Sequence, residues 1–289
     1  MNSISKRIGD YLSLVKFSHT VFALPFAIIG FSLASTSDDN LFSIRILILV
    51  LLCMVFARNA AMGFNRIADR RYDALNPRTA GREIPAGIIN EKNALLFVII
   101  NSLLFIVAAG FINRLTLYLS PVALIIVLGY SLTKRITMLC HFILGLGLSL
   151  APIGAFISVT GHFALLPIIY SLIVLTWVSG FDIIYALQDE EFDKSNKLFS
   201  IPAFAGRKNA IVISLAIHFI TFFLVILAGL TGDSGILFWT GATIFSILLA
   251  WQHIIVKPAD ISRVNLAFAT TNGIASIVFA ALVVLDLFI

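Results

Sequence analysis

Charge is scarce in this sequence of 289 residues: Asp, Glu, Lys and Arg together make up 12% of it, against roughly a quarter in an ordinary soluble domain. Cysteine is nearly absent. Cys53 and Cys140 lie in apolar runs with no Cys-x-x-Cys spacing, which excludes a disulfide framework and a thiolate metal site and leaves two buried packing residues. The chain has five histidines, none of them inside an acidic cluster, which argues against zinc. What is abundant is apolar surface. Sixty per cent of the residues are hydrophobic and the mean hydropathy is +1.02, more than a soluble fold of this length can bury. The chain reads as a polytopic membrane protein. Soluble enzyme, secreted mini-protein, disordered chain and nucleic-acid binder all fit poorly. The opening MNSISKRIGD is polar, and the first apolar run is followed by many more, so the start does not read as a cleaved signal peptide.

A bilayer span needs about 20 mostly apolar residues. Nine stretches qualify: 16–35, 43–64, 94–112, 115–133, 137–159, 163–187, 209–230, 235–256 and 265–289. Spans of this length are helices, because a helix satisfies its own backbone hydrogen bonds in lipid. The expected fold class is therefore all-α, a bundle of nine transmembrane helices forming one membrane-embedded domain over residues 1–289. The net charge of +5 has a topological explanation. With the N-terminus in the cytoplasm, all basic residues but Arg45 and Arg114 fall on the cytoplasmic side, as the positive-inside rule requires of an odd number of spans. Two loops on that side, about 65–93 and 188–208, are much longer than the rest. An acidic helix end followed by a basic loop occurs after span 2 and again after span 6, which suggests two four-helix halves. No organelle transit peptide is recognisable, so a bacterial inner membrane is the simplest location.

Seven of the 15 acidic residues fall in two clusters. In the first, Asn65, Asp69 and Asp73 are spaced i, i+4, i+8 and share one helix face. In the second, Asp182, Asp189 and Asp193 are spaced i, i+7, i+11 and again share a face. Like charges one turn apart destabilise a helix, and more so at the membrane. A divalent cation would compensate, and carboxylate and amide oxygens suit Mg²⁺ completed by substrate phosphates. Solvated charges at helix ends would explain either cluster alone. They explain less well two clusters on one membrane side, each followed by bases. Those bases are Arg78 and Arg82 after the first cluster and Lys194 and Lys197 after the second, with Lys134 and Arg135 ending span 4. Acids that hold a metal, together with guanidinium and ammonium groups, make up a diphosphate site. Topology alone accounts for Arg66, Arg207, Lys257 and Arg263. Asp182 follows an apolar stretch, and an acid at that depth is a functional candidate by default.

Asn65-x-x-x-Asp69-x-x-x-Asp73, followed by Arg78-x-x-x-Arg82, resembles the first signature of the UbiA superfamily of intramembrane prenyltransferases. YALQDEEFDKSNKLFSIPAFAG, beginning at Tyr185, resembles the second, and Tyr130-x-x-x-Lys134 a third, shorter element. The nine-helix pattern is similar too, and the likeness runs the length of the chain. The second motif and the opening LVKFSHTVFALPFA are most similar to the branch that prenylates 4-hydroxybenzoate in quinone biosynthesis. One departure stands out: Arg82-Glu83-Ile84-Pro85 replaces Arg-Pro. Together with the opening segment, that variant resembles a subgroup tied to menaquinone made through futalosine, which makes a dihydroxynaphthoate the alternative acceptor.

The resemblance implies transfer of a polyprenyl group from its diphosphate to the ring of an aromatic acid. Asn65, Asp69 and Asp73 would hold one Mg²⁺ and Asp189 and Asp193 another. Arg78, Arg82, Lys134 and Lys197 would hold the diphosphate. Ionisation of the diphosphate would give an allylic cation, which the ring carbon ortho to a phenol attacks. Tyr130 and Tyr185 either steady that cation through their ring faces or are interfacial belt residues. Asp182 either orients Tyr130 or the ring, or assists the metal site. Lys16, with His19 one turn away, is the candidate for the acceptor's carboxylate; Lys16 snorkelling to the interface is the alternative. His141, His162, His218 and His253 read as packing or interface residues. The partners expected are a polyprenyl diphosphate, an aromatic acid and the lipid bilayer, with no nucleic acid. A cation-coupled transporter is the competing class, but its acids belong at the midplane between paired broken helices. A CDP-alcohol phosphotransferase would need an Asp-Gly-rich acidic motif that this sequence does not contain.

Overall fold

A computed structural model describes residues 3–15, 22–37 and 42–289. It consists of helices: α1 (Ser3–Leu14), α2 (Leu24–Ser37), α3 (Ile44–Leu75), α4 (Glu91–Gly110), α5 (Arg114–Thr133), α6 (Cys140–Thr160), α7 (Leu165–Ala186), α8 (Glu190–Ser195), α9 (Ile201–Thr231), α10 (Ile236–Ile255) and α11 (Asn272–Leu287). A 3₁₀ turn, Leu187–Asp189, joins α7 to α8, and a π turn, Leu266–Thr271, leads into α11. Among the described residues eight helical segments are long and apolar enough to cross a membrane, α7 and α8 counting as one. α2, at 14 residues, is a shorter ninth. The protein is an integral, multi-pass membrane protein.

Short polar side chains set the helix starts, each accepting a backbone N–H that the first turn leaves unpaired. Ser43 caps α3, Asn90 caps α4, Asn113 caps α5 and Ser200 caps α9. Asn113 also donates to the Ile157 and Ser158 carbonyls at 2.8 and 3.1 Å. A connection of three residues, 111–113, thus turns α4 into α5 and ties it to α6.

α7 is the central helix. It packs on α6 and α9, and its buried residues include Tyr170, Ile173, Trp177, Phe181 and Ile184. Trp177, Phe26, Phe245 and Phe279 interlock in the largest apolar cluster. The outward faces stay apolar: Leu103 and Val107 on α4 and Phe219 and Phe223 on α9 are exposed, as a lipid-facing surface requires. The phenylalanines therefore divide between core and lipid surface, a division that composition alone does not make.

Two boundaries differ from the hydropathy reading. The second span does not end at residue 64. α3 runs on to Leu75, so the first acidic motif lies on helix rather than in a loop. It stops at Asn76, whose extended backbone (φ −91°, ψ 118°) is the conformation imposed by Pro77 on the residue before it. The second long loop is largely helical as well. α8 fills part of it, and α9 begins at Ile201 with a break at Gly206 (φ 77°, ψ 163°), a backbone state open to glycine.

Candidate active site

The long loops and the ends of α3, α5, α6 and α7 enclose one cavity of about 210 Å³. Asn65, Asp69 and Asp73 line it from α3, as their i, i+4, i+8 spacing requires. Asp182, Asp189 and Asp193 line it from the other side. These last three do not share one continuous helix: the 3₁₀ turn at Leu187–Asp189 separates α7 from α8. The cavity still gathers all three, because the turn carries the helical path on from α7 into α8. Tyr130, Tyr185, Arg78, Arg82 and Lys134, also expected there, line it too.

The charges inside are matched one to one. Arg78 forms a two-pronged pair with Asp189, donating through Nε at 3.1 Å to Oδ1 and through Nη2 to Oδ2. Arg82 Nη1 donates to Asp73 Oδ1 at 2.7 Å. Lys134 Nζ lies 2.8 Å from Asp193 Oδ1, and Arg135 Nη2 lies 3.2 Å from Asp69 Oδ1. The fifth carboxylate, Asp182, is paired instead with an imidazole, His141 Nδ1, at 2.7 Å. Burial works against the charge on Arg78 and on Lys134. The hydrogen bonds and negative charge of Asp189 and Asp193 outweigh it, so both cations are held above their ordinary pKa.

The pairs are braced from outside. Asn76 donates to Asp189 Oδ1 at 3.0 Å, and its own Oδ1 accepts the Arg78 N–H. Arg78 also donates to the Tyr185 hydroxyl at 3.2 Å and lies over that ring. Arg135 stacks over Tyr72 and donates to the Ala68 carbonyl at 2.6 Å. Ser200, the cap of α9, donates to Asp193 Oδ2 at 2.8 Å. Asn65 donates to Asp69 Oδ2 at 3.0 Å. One oxygen stands apart: Asp73 Oδ2 is buried with no hydrogen-bond partner, a rare condition for a buried acceptor.

Not every expected residue arrives. Lys197 does not line the cavity. It is exposed on the loop after α8 with a left-handed backbone (φ 54°), and Lys134 is the ammonium beside Asp193. Lys16 and His19 lie outside the described residues. Conversely, Asn76 and His141 belong to the cavity although the sequence reading did not place them there, and Arg135, grouped with Lys134 among the expected bases, lines it too. Arg135 adjoins Lys134 in the sequence, and that adjacency was the available signal. Cys140 is buried and free, as expected, but at the cavity wall. Glu190 is buried outside the cavity, where Lys194 pairs with it within α8 at 2.6 Å and Arg207 at 2.8 Å ties α8 to α9.

Comparison with known proteins identifies the family. The model of the UbiA prenyltransferase family matches residues 23–282. A 4-hydroxybenzoate octaprenyltransferase of Aliivibrio fischeri is 28% identical over 247 residues, covering 84% of this chain and 85% of that protein. One from Francisella tularensis subsp. novicida is 29% identical over 248 residues, covering 86% and 87%. Among solved structures, the apo structure of a UbiA homolog from Aeropyrum pernix is 33% identical, with a TM-score of 0.84 over 93% of this chain and 98% of that one. A UbiA homolog from Archaeoglobus fulgidus, bound to GPP and Mg²⁺, shares the fold at 22% identity and a TM-score of 0.70 over 97% and 100%. The chain belongs to the UbiA prenyltransferase family and is a membrane-embedded prenyltransferase.

Proposed function

We propose that this enzyme transfers a polyprenyl group from polyprenyl diphosphate to the ring of an aromatic acid, with 4-hydroxybenzoate as the first candidate, in ubiquinone or menaquinone biosynthesis. The observation that carries this reading is the matched set of four carboxylates and four cations in one cavity at the helix ends. Carboxylates suit a divalent metal and the cations suit diphosphate oxygens. A cavity of about 210 Å³ suits a head group rather than a polyprenyl chain, which leaves the chain to lie between helices.

The donor set fits Mg²⁺. Among the described residues no three His, Cys, Asp or Glu side chains close into a cage of their own. Mg²⁺ does not require one, because it keeps waters and takes one or two carboxylates plus substrate phosphates. The unpartnered Asp73 Oδ2 is the kind of oxygen such an ion would satisfy. Asn65, Asp69 and Asp73 would hold one ion, and Asp189 and Asp193 another. Bound there, Mg²⁺ supplies positive charge to the leaving diphosphate. Arg78, Arg82, Lys134 and Arg135 add hydrogen-bond donors aimed at the same charge. The rings of Tyr130 and Tyr185 border the cavity, where an aromatic face favours an allylic cation. The dry helical walls keep water from it. Lys16 and His19 remain the candidates for the acceptor's carboxylate. Residues 1–289 would act as one domain, in a bacterial inner membrane with the N-terminus and the active site on the cytoplasmic side.

A second acceptor, a dihydroxynaphthoate of the futalosine route, is favoured by one observation. Glu83, the point at which this chain departs from the Arg-Pro of the signature it resembles, is buried and accepts a hydrogen bond from Ser13 of α1 at 2.5 Å. That contact joins the loop after α3 to the segment that leads toward Lys16. The test is an assay of purified protein with Mg²⁺ and a polyprenyl diphosphate, offering 4-hydroxybenzoate, a dihydroxynaphthoate and homogentisate separately, with EDTA controls. Prenylated product from one acceptor, lost on chelation, is the expected result. No product from any acceptor with folded protein would overturn the reading.

A further inference from the structure

Asp182 differs from the other four carboxylates of the cavity. Asp69, Asp73, Asp189 and Asp193 each face an arginine or lysine, so each has an oxygen committed to a cation. Asp182 faces the ring of His141, which is 2% exposed and sits at the start of α6. Around that ring the hydrogen-bond directions are determined. The backbone N–H of Ile201, at the first turn of α9, donates to His141 Nε2 at 3.3 Å. Two N–H groups cannot face each other at that distance, so Nε2 carries a lone pair. The ring proton is on Nδ1 and is donated to Asp182 Oδ2 at 2.7 Å. His141 thus donates to one oxygen of Asp182, and no hydrogen bond occupies Asp182 Oδ1 among the described residues.

The backbone is arranged to allow this contact. One turn along α6 from His141, Gly145 lies so close to α7 that an added Cβ would meet the Leu175 carbonyl oxygen at 2.5 Å and Ser179 Oγ at 2.6 Å. Ser179 Oγ in turn lies 3.3 Å from the His141 carbonyl. The close crossing of α6 and α7 brings the imidazole to the acid 41 residues away. The N-terminus of α9 holds it there, while the adjacent Ser200 fixes Asp193.

We propose that Asp182 accepts the phenolic proton of the aromatic acceptor, and that His141 is the residue that positions it for that transfer. The inference rests on the function proposed above. The prenyl C–O bond breaks and its electron pair leaves with the diphosphate. The bond from the ring carbon to the prenyl carbon forms as the phenol O–H proton passes to Asp182 Oδ1. The ring is then a ketone with one tetrahedral C–H. That proton is lost to the departing diphosphate, and the proton on Asp182 returns to the ring oxygen, which restores the aromatic phenol and the free carboxylate. His141 keeps its own proton throughout.

The test uses the full-length enzyme with Mg²⁺, geranyl diphosphate and 4-hydroxybenzoate, together with ring-fluorinated 4-hydroxybenzoates that have one open ortho position and a more acidic phenol. Asp182→Asn is expected to lower kcat by about 10²–10⁴-fold, the usual contribution of a positioned base, with the KM for geranyl diphosphate unchanged. The ratio of wild-type to Asp182→Asn rates is expected to shrink as the phenol becomes more acidic, because a phenol that ionises by itself needs no base. His141→Ala is expected to lower kcat about tenfold or more, while His141→Asn, whose amide can stand in for Nδ1–H, stays within about threefold of wild type. If His141→Ala does not fold, the Asp182→Asn series decides alone. A rate ratio independent of phenol acidity, or a folded His141→Ala with wild-type kcat, overturns the inference. Absence of transfer by the wild-type enzyme to any phenolic acid overturns the proposed function instead, so the two failures are distinguishable.

Discussion

Asp73→Asn is the substitution that separates the metal-binding reading from a purely structural one. The Asp73 side chain is 8% exposed; its Oδ1 takes Arg82 at 2.7 Å and its Oδ2 has no hydrogen-bond partner. Asparagine keeps the shape and one oxygen and loses the charge. On the structural side, a hydrogen bond to a charged group contributes about 1.5–3 kcal/mol and a neutral one about 0.5–1.5. The Arg82 side chain is 23% exposed and keeps access to water, so the net loss of stability is about 1 kcal/mol. On the functional side the loss is larger. Even a residue that supports a metal ligand indirectly typically accounts for about 10–100-fold in affinity, so a directly bound carboxylate should account for about 100-fold, or about 2.7 kcal/mol. The assay is the initial rate of prenyl transfer against free Mg²⁺ at saturating prenyl diphosphate, beside a thermal melt. The expected result is a half-saturating Mg²⁺ concentration raised about 100-fold with a nearly unchanged melt. A variant whose Mg²⁺ dependence matches wild type would refute the assignment of Asp73 to the metal.

Four further outcomes follow from the same geometry. Asp69→Ala or Asp189→Ala should abolish turnover while the protein stays inserted in the membrane, as membrane fractionation would show; near-normal activity in either would remove it from the site. Lys134→Ala should raise the KM for prenyl diphosphate about tenfold or more, the usual scale for an uncompensated charged contact. Lys197→Ala, exposed and outside the cavity, should leave that KM within about twofold. Gly145→Ala places a Cβ 2.5 Å from the Leu175 carbonyl and should cost about 1–3 kcal/mol in a melt; a wild-type melting temperature would mean that α6 and α7 separate freely.

The acidic half of the site was legible because its chemistry is periodic. Asn65, Asp69 and Asp73 recur every fourth residue, and α3 continues through them. Hydropathy ended that helix too early, since it registers polarity and not the ion pairs with Arg82 and Arg135 that accommodate the charges. His141 was illegible for a different reason. Its partner lies 41 residues away, and their meeting depends on a helix crossing that only a Cβ-free residue permits. Lys197 misled because motif order places it beside Asp193, whereas the chain reverses at this residue through a left-handed turn.

The one-to-one matching of charge also governs how ligands enter. A metal ion arriving alone would draw the carboxylates away from Arg78, Arg82, Lys134 and Arg135 and leave guanidinium and ammonium groups without partners in a half-buried site. Diphosphate arriving alone would strand the carboxylates in the same way. Each ligand supplies the counter-charge that the other displaces, so the two favour each other's binding, and by linkage the enhancement is equal in both directions. On the proposed metal and diphosphate roles, the enzyme at rest would be insensitive to stray cations and to stray phosphate, and would open its charges to the metal–diphosphate pair as a unit.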